Sequence, residues 1–213
     1  TFENLEEHLQ EELLDLLPLR QLQLILNDMS PDKRTALLEV LPVDKLNRQL
    51  KILTARERDV AISLLGYPEN SIGRLMTPDY ITIKYEWTVS QVLNHIRENG
   101  ENKETLDVVY IVDGNGKLID DIRVREFLLA PLDARVNEIA DGKFVALNVT
   151  DDEEIAVSVF KQHNRVALPV LDSKGVLLGI VTIDDVLQLA EEEQTEDFQK
   201  VGGVEALDDP YME

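Results

Sequence analysis

Two stretches of this chain repeat themselves, and few folds accommodate that. YITIKYEWTVSQVLNHIREN (80–99) matches FVALNVTDDEEIAVSVFKQH (144–163) at an offset of 64 residues. VYIVDGNGKLIDDIRVREFLL (109–129) matches LPVLDSKGVLLGIVTIDDVLQ (168–188) at an offset of 59. The first block of each copy alternates and then turns helical, as a strand followed by an amphipathic helix does. The second is a hairpin with a Gly-containing turn, followed by a helix. Residues 69–189 therefore hold two β-α-β-β-α units, and the falling offset places a five-residue insertion, NGENK, before the hairpin of the first. Thr88 is the expected cap of the first helix, and Thr150 or Asp151 that of the second.

Residues 1–66 carry a second repeat, of period 24. Leu17-Pro18 returns as Leu41-Pro42, Leu22, Leu26 and Met29 as Leu46, Leu50 and Leu53, and Ser30 as Thr54. Ser30-Pro31 places a capping residue before Pro at the first helical position, and Thr54 caps the equivalent helix. A stack of short helical hairpins follows, with the Leu stripes as core. Gly66-Tyr67-Pro68 ends the pattern. The fold class is thus α+β and multidomain: an all-α superhelical repeat domain over 1–68, β-α-β-β-α units over 69–130 and 131–189, and an acidic helix and tail over 190–213.

Charge narrows the partners. Against 21 Lys and Arg stand 42 Asp and Glu, a net charge of −21. Phosphate binding needs clustered bases, so no nucleic-acid partner is expected, and cations are the natural ones. From Asp184 to Glu213 there are eleven acids and one base, Lys200. Glu192 and Glu196 are four apart and Glu193 and Glu196 three apart, spacings that destabilise a helix for like charges. Two carboxylates about 4 Å apart repel by ~4 kcal/mol at an effective dielectric of 20. A counter-ion relieves this, although a solvated helix face before a linker accounts for the charge pattern equally well. Mg²⁺ takes oxygen ligands and dehydrates reluctantly, so one or two carboxylates plus waters suffice.

Other chemistry is thin. Without cysteine there are no disulfides and no thiolate sites, as a reducing compartment would have it. His8, His95 and His163 are scattered, and no HExxH, GxSxG or GxxxxGK[ST] occurs, so no enzyme is expected. DGNG (113–116) lacks the ligands of a Ca²⁺ loop and reads as a hairpin turn. Trp87 reads as a packing anchor. No run of 18 apolar residues is present, and the opening Thr-Phe-Glu is that of an excised segment.

The tandem units with GIVTIDD (179–185) resemble a pair of CBS domains. SIGRLMTPDYITI (71–83), the helical repeats before it and the tail EEEQTEDFQKVGGVEALDDPYM resemble the corresponding parts of MgtE-type magnesium transporters: N domain, CBS pair and connecting helix. The resemblance implies the region on the cytoplasmic side of a bacterial cell membrane, a homodimer formed through CBS domains, and a transmembrane domain as further partner. It implies regulatory Mg²⁺ that compacts the dimer and closes the pore. Residue by residue, it implies ligation near Asp185 and Asp32, with the backbone around Arg74 closing that site, and at Glu154 of the second unit. It implies further ligands at Glu193, Glu196 and Asp197 of the connecting helix. Asn164 and Gln188 stand where the family pattern can have Asp. GIVTIDD also fits a CBS nucleotide pattern, with Thr182 and Asp185 as contacts for ATP or AMP; the equivalent DDIRVRE lacks both the Gly and the Thr. An alternative is thus an adenine-nucleotide-sensing module. Another is a structural adaptor, since the helical repeats also resemble those of the flagellar motor switch protein.

Overall fold

The computed structural model describes residues 9, 13, 14 and 16–189. The helical repeat appears with its expected period. Helices α1 (Leu19–Asp28) and α2 (Pro31–Glu39) recur as α3 (Val43–Ile52) and α4 (Ala55–Leu65). Leu22, Leu26, Met29, Leu37, Leu38, Leu41 and Leu53 form the core, with Leu46 and Leu50 packed against it. Pro31 opens α2, but Ser30 makes no side-chain cap bond to it, whereas Thr54 accepts a bond from the Glu57 amide. Arg34 is fully buried and does the work a cap would do for α1: its Nη1 donates to Leu26 O (3.2 Å) and Met29 O (3.1 Å), and its Nη2 pairs with Glu57. Such terminal carbonyls otherwise lack partners.

After α5 (Ile72–Leu75) come the two units. The first contains β1 (Thr82–Ile83), α6 (Val89–Asn99), β2 (Val108–Val112), β3 (Leu118–Arg123) and α7 (Val124–Leu129). A short α8 (Val136–Ile139) leads to β4 (Leu147–Asn148), α9 (Glu154–His163), β5 (Ala167–Leu171), β6 (Leu177–Thr182) and a helix α10 over 183–189. The sheets are ordered β1-β2-β3 and β4-β5-β6, each with one parallel and one antiparallel pairing. Even the bulge repeats, at Ile111/Val112 and Val170/Leu171. The insertion sits between α6 and β2, where residues 100–107 answer to 164–166 in the second unit.

Thr88 closes a capping box with Gln91. The expected cap at Thr150 or Asp151 moves: α9 starts at Glu154, and Asp152 Oδ1 accepts the Glu154 amide at 3.0 Å. The cause lies outside the helix. Residues 70–73 pair with the segment before α9, through Glu153 N to Asn70 O and Ile72 N to Asp151 O, both 2.9 Å. DGNG is a hairpin turn, with Asp113 Oδ1 accepting the amides of Asn115 and Lys117, and Asp172 repeats it. Trp87 packs into the first unit's core and meets the His95 ring edge-on.

Each unit is completed by the lead-in of the other. Leu64, Ile72 and Met76, ahead of the first sheet, are buried with Leu147, Phe160, Leu168 and Val181 of the second. Thr77 pairs with Ile180 through two 2.9 Å bonds and extends the second sheet. In return Val136 and Ile139 join the first unit's core, and Val136 N donates to Trp87 O.

Candidate metal centre

Two helix starts meet where the helical domain lies on the second unit. Asp32 is in the first turn of α2 and Asp185 in the first turn of α10, so each carboxylate sits at the positive end of a helix dipole. Both are buried, at 7 % and 8 % exposure. Thr182 Oγ1 donates to Asp185 Oδ2 and fixes its rotamer. Asp32 Oδ1 is buried without a hydrogen-bond partner. A buried, unsatisfied carboxylate oxygen is costly and calls for a cation or water.

The electrostatics agree. Burial first, then the Asp185 charge, pushes the Asp32 carboxyl up to about 6. Burial also raises Asp185, with Asp184 adding to it, against the Thr182 bond and Lys33. Glu104 is pushed up to about 7 by burial and by Asp32, Asp185 and Asp184 in that order. Four carboxylates thus act on one region, and Lys33 Nζ, 3.9 Å from Asp185 Oδ1, opposes them.

A cavity of about 480 Å³ opens here, lined among others by Asp32, Asp185, Glu39, Glu69, Glu153 and Gln188. Arg74 stands in its wall, its Nε donating to Tyr67 O (2.7 Å) and its Nη1 paired with Glu39 at 2.9 Å. Among the described residues no three acidic or histidine groups converge closely enough to hold an ion directly. The pair Asp32 and Asp185 fits a hard cation that keeps most of its water, which is how Mg²⁺ prefers to bind.

The structure brings Asp32, Arg74 and Asp185 together and leaves Glu154 apart. Glu154 is exposed at the start of α9, and its neighbour Glu153 faces the cavity instead. Glu193, Glu196 and Asp197 lie outside the described residues. Asn164 ends α9 in the left-handed region (φ 46°), a conformation Asn tolerates well. Nothing in the sequence pattern singles out Glu104 or Lys33. The insertion carrying Glu104 was visible as an offset, but nothing in it tells where the loop reaches.

Thr182 is 4 % exposed with its hydroxyl committed to Asp185, and Asp185 lines the cavity it shares with Asp32. A second cleft, of about 440 Å³, lies at the pseudo-equivalent place, between the first unit's β3–α7 junction and the start of β5. Arg123, Arg125 and Arg165 line it with Asp107 and Asn164. Arg165 Nη1 pairs with Asp121 at 3.0 Å.

Residues 1–70 match the MgtE intracellular N domain, and residues 72–133 and 136–192 match the CBS domain. Magnesium transporter MgtE of Thermus thermophilus is 36 % identical over 162 residues, 76 % of this chain and 36 % of that protein. Magnesium transporter MgtE of Bacillus subtilis is 26 % identical over 196 residues, 92 % of this chain and 44 % of that one. The chain thus spans less than half the length of these curated relatives. A crystal structure of the cytosolic domain of the Mg²⁺ channel MgtE in complex with ATP superposes with a TM-score of 0.85 at 32 % identity, covering 88 % of this chain and 77 % of that one. The soluble part of a magnesium transporter gives 0.85 at 26 % identity, covering 90 % and 76 %.

Proposed function

The chain belongs to the MgtE family, holding the N domain and CBS pair of a magnesium transporter, and on that premise we propose that it is the Mg²⁺-sensing regulatory region that governs the transporter's pore. The observation that carries the reading is the orphaned, buried Asp32 Oδ1 facing the second CBS unit's Asp185 across a domain boundary. Asp32 and Asp185 would hold a hydrated Mg²⁺, with Glu39, Glu153 and Gln188 offering oxygens to its waters. The ion supplies two positive charges to a boundary where carboxylates otherwise repel. It stabilises the docked arrangement by as much as it binds that arrangement better than an undocked one. Further sites on Glu154, Glu193, Glu196 and Asp197 would steepen the response. Exposed Leu128, Leu129 and Leu132 around the end of α7, with Leu187 at the matching place on α10, suit a second copy in a homodimer.

The test is calorimetry and small-angle scattering of the chain through a millimolar MgCl₂ titration, with NaCl at matched ionic strength. Saturable binding with compaction is expected, absent in NaCl and lost in Asp32→Asn and Asp185→Asn. Binding that survives both substitutions sinks the assignment of this site.

A second reading rests on the other cleft. Three arginines there suit a polyphosphate, and a relative's structure holds ATP. ATP would bind at Arg123, Arg125 and Arg165, leaving Thr182 and Asp185 to the cation. Loss of ATP binding in Arg125→Ala with Mg²⁺ binding retained is the expected separation.

A further inference from the structure

Lys33 is out of place by the rules of its own helix. It stands in the first turn of α2, where the helix dipole disfavours a positive charge. The internal repeat sharpens the anomaly. Asp32-Lys33 corresponds to Arg56-Glu57 at the start of α4, so the same turn carries inverted charges in the sister hairpin. There Glu57 accepts Arg34 from within the domain. In α2 the lysine turns outward, to the second CBS unit.

Its position is specific. Lys33 Nζ lies 3.9 Å from Asp185 Oδ1, and the Lys33 charge acts on Asp32, Asp185 and Glu104 alike. The ammonium is a compact, strongly hydrated point charge on a flexible stem. The side chain is 32 % exposed, so water is within reach when it leaves.

We propose that Lys33 is a tethered counter-ion of the Asp32–Asp185 site, which holds the helical domain on the second CBS unit when no divalent cation is bound and which an arriving cation must displace. This rests on the reading of Asp32 and Asp185 as a cation site. Lys33 then performs two tasks. It stops the carboxylate cluster from driving the domains apart in the ion-free state. By competing for the same carboxylate it also lowers the site's affinity, as suits an ion that is abundant inside cells.

The experiment titrates MgCl₂ into the whole chain by calorimetry for wild type, Lys33→Met, Lys33→Arg and Lys33→Met with Asp185→Asn. Lys33→Met is expected to bind Mg²⁺ about three- to tenfold more tightly, where tenfold is about 1.4 kcal/mol. Lys33→Arg, keeping the charge, stays within about twofold of wild type, and the double variant loses the gain. Hydrogen exchange gives a second readout: α2 and residues 183–189 exchange faster in ion-free Lys33→Met than in ion-free wild type, and Mg²⁺ restores their protection. Wild-type binding with unchanged or weaker affinity in Lys33→Met overturns the counter-ion and leaves the site standing. No saturable binding in either protein overturns both.

Discussion

At the scale of the residue, Gly179 is fixed by contact with a backbone from elsewhere in the chain. A Cβ there would stand 2.8 Å from Met76 Sδ and 2.9 Å from Thr77 O. Gly179→Ala is therefore expected to cost about 1–3 kcal/mol in urea unfolding, an overpacking penalty that a flexible neighbour cannot relieve because one partner is main chain. The pseudo-equivalent Asp120 serves the mirrored crossing with its carboxylate: its Oδ2 accepts the amides of Asp141 and Gly142, each at 2.9 Å. Next to it, Asp121 is held up to about 6 by burial and by Asp120, against Arg165 and Arg123. Because this folded-state value is raised, the folded chain binds the proton better than the unfolded one. Asp121 thus favours folding below the ordinary carboxylate range, and that contribution fades as pH rises from about 4 through about 6. Thermal melts across this range should show stability falling with pH, with a shallower slope in Asp121→Asn; an unchanged slope would remove Asp121 as the cause.

At the scale of the element, the helical domain hangs on Arg34. It binds the end of α1 through two carbonyls and α4 through Glu57, with no exposed surface of its own. Arg34→Ala leaves the α1 carbonyls without partners and Glu57 with only the more distant, exposed Arg56 (3.8 Å), and a loss of about 3–5 kcal/mol is expected from chemical denaturation. Lys in its place should not restore it, because an ammonium lacks the planar fork that spans three acceptors. The helices themselves were legible in the sequence. A period of 24 set both hairpins to the residue, and the offsets of 64 and 59 set the two sheets and the extra loop. Of the centre, the sequence bears only on which residues could share a place. Asp32, Arg74 and Asp185, the residues the family resemblance points to, line one cavity, and Glu154 is not among its lining. Hydropathy reports which residues are buried, not which distant loop supplies a charge, so Glu104 and Lys33 gave no signal. The shifted cap of α9 has the same origin: Asp152 replaces Thr150 and Asp151 because residues 70–73 claim the backbone before the helix. Within GIVTIDD the glycine lies against Thr77 O and the threonine donates to Asp185, contacts that hydropathy does not report.

At the scale of the whole molecule, the exchange of lead-ins decides how the two CBS units fail. Met76 precedes the first sheet in sequence but is buried in the core of the second. Met76→Ala is expected to cost about 2–5 kcal/mol. Its signature is that amide protection drops first in β4–β6, not in β1–β3, and equal loss in both would argue against this division of cores. The same crossing shapes how movement travels. A pull on the helical domain runs through residues 66–77, and that strap is anchored on β6 of the second unit, the later one in sequence. β6 leads directly into α10. The chain is wired like a belt passed around the second of two pulleys: the strap leaving the first domain and the helix leaving the last strand are fastened to the same strand, β6.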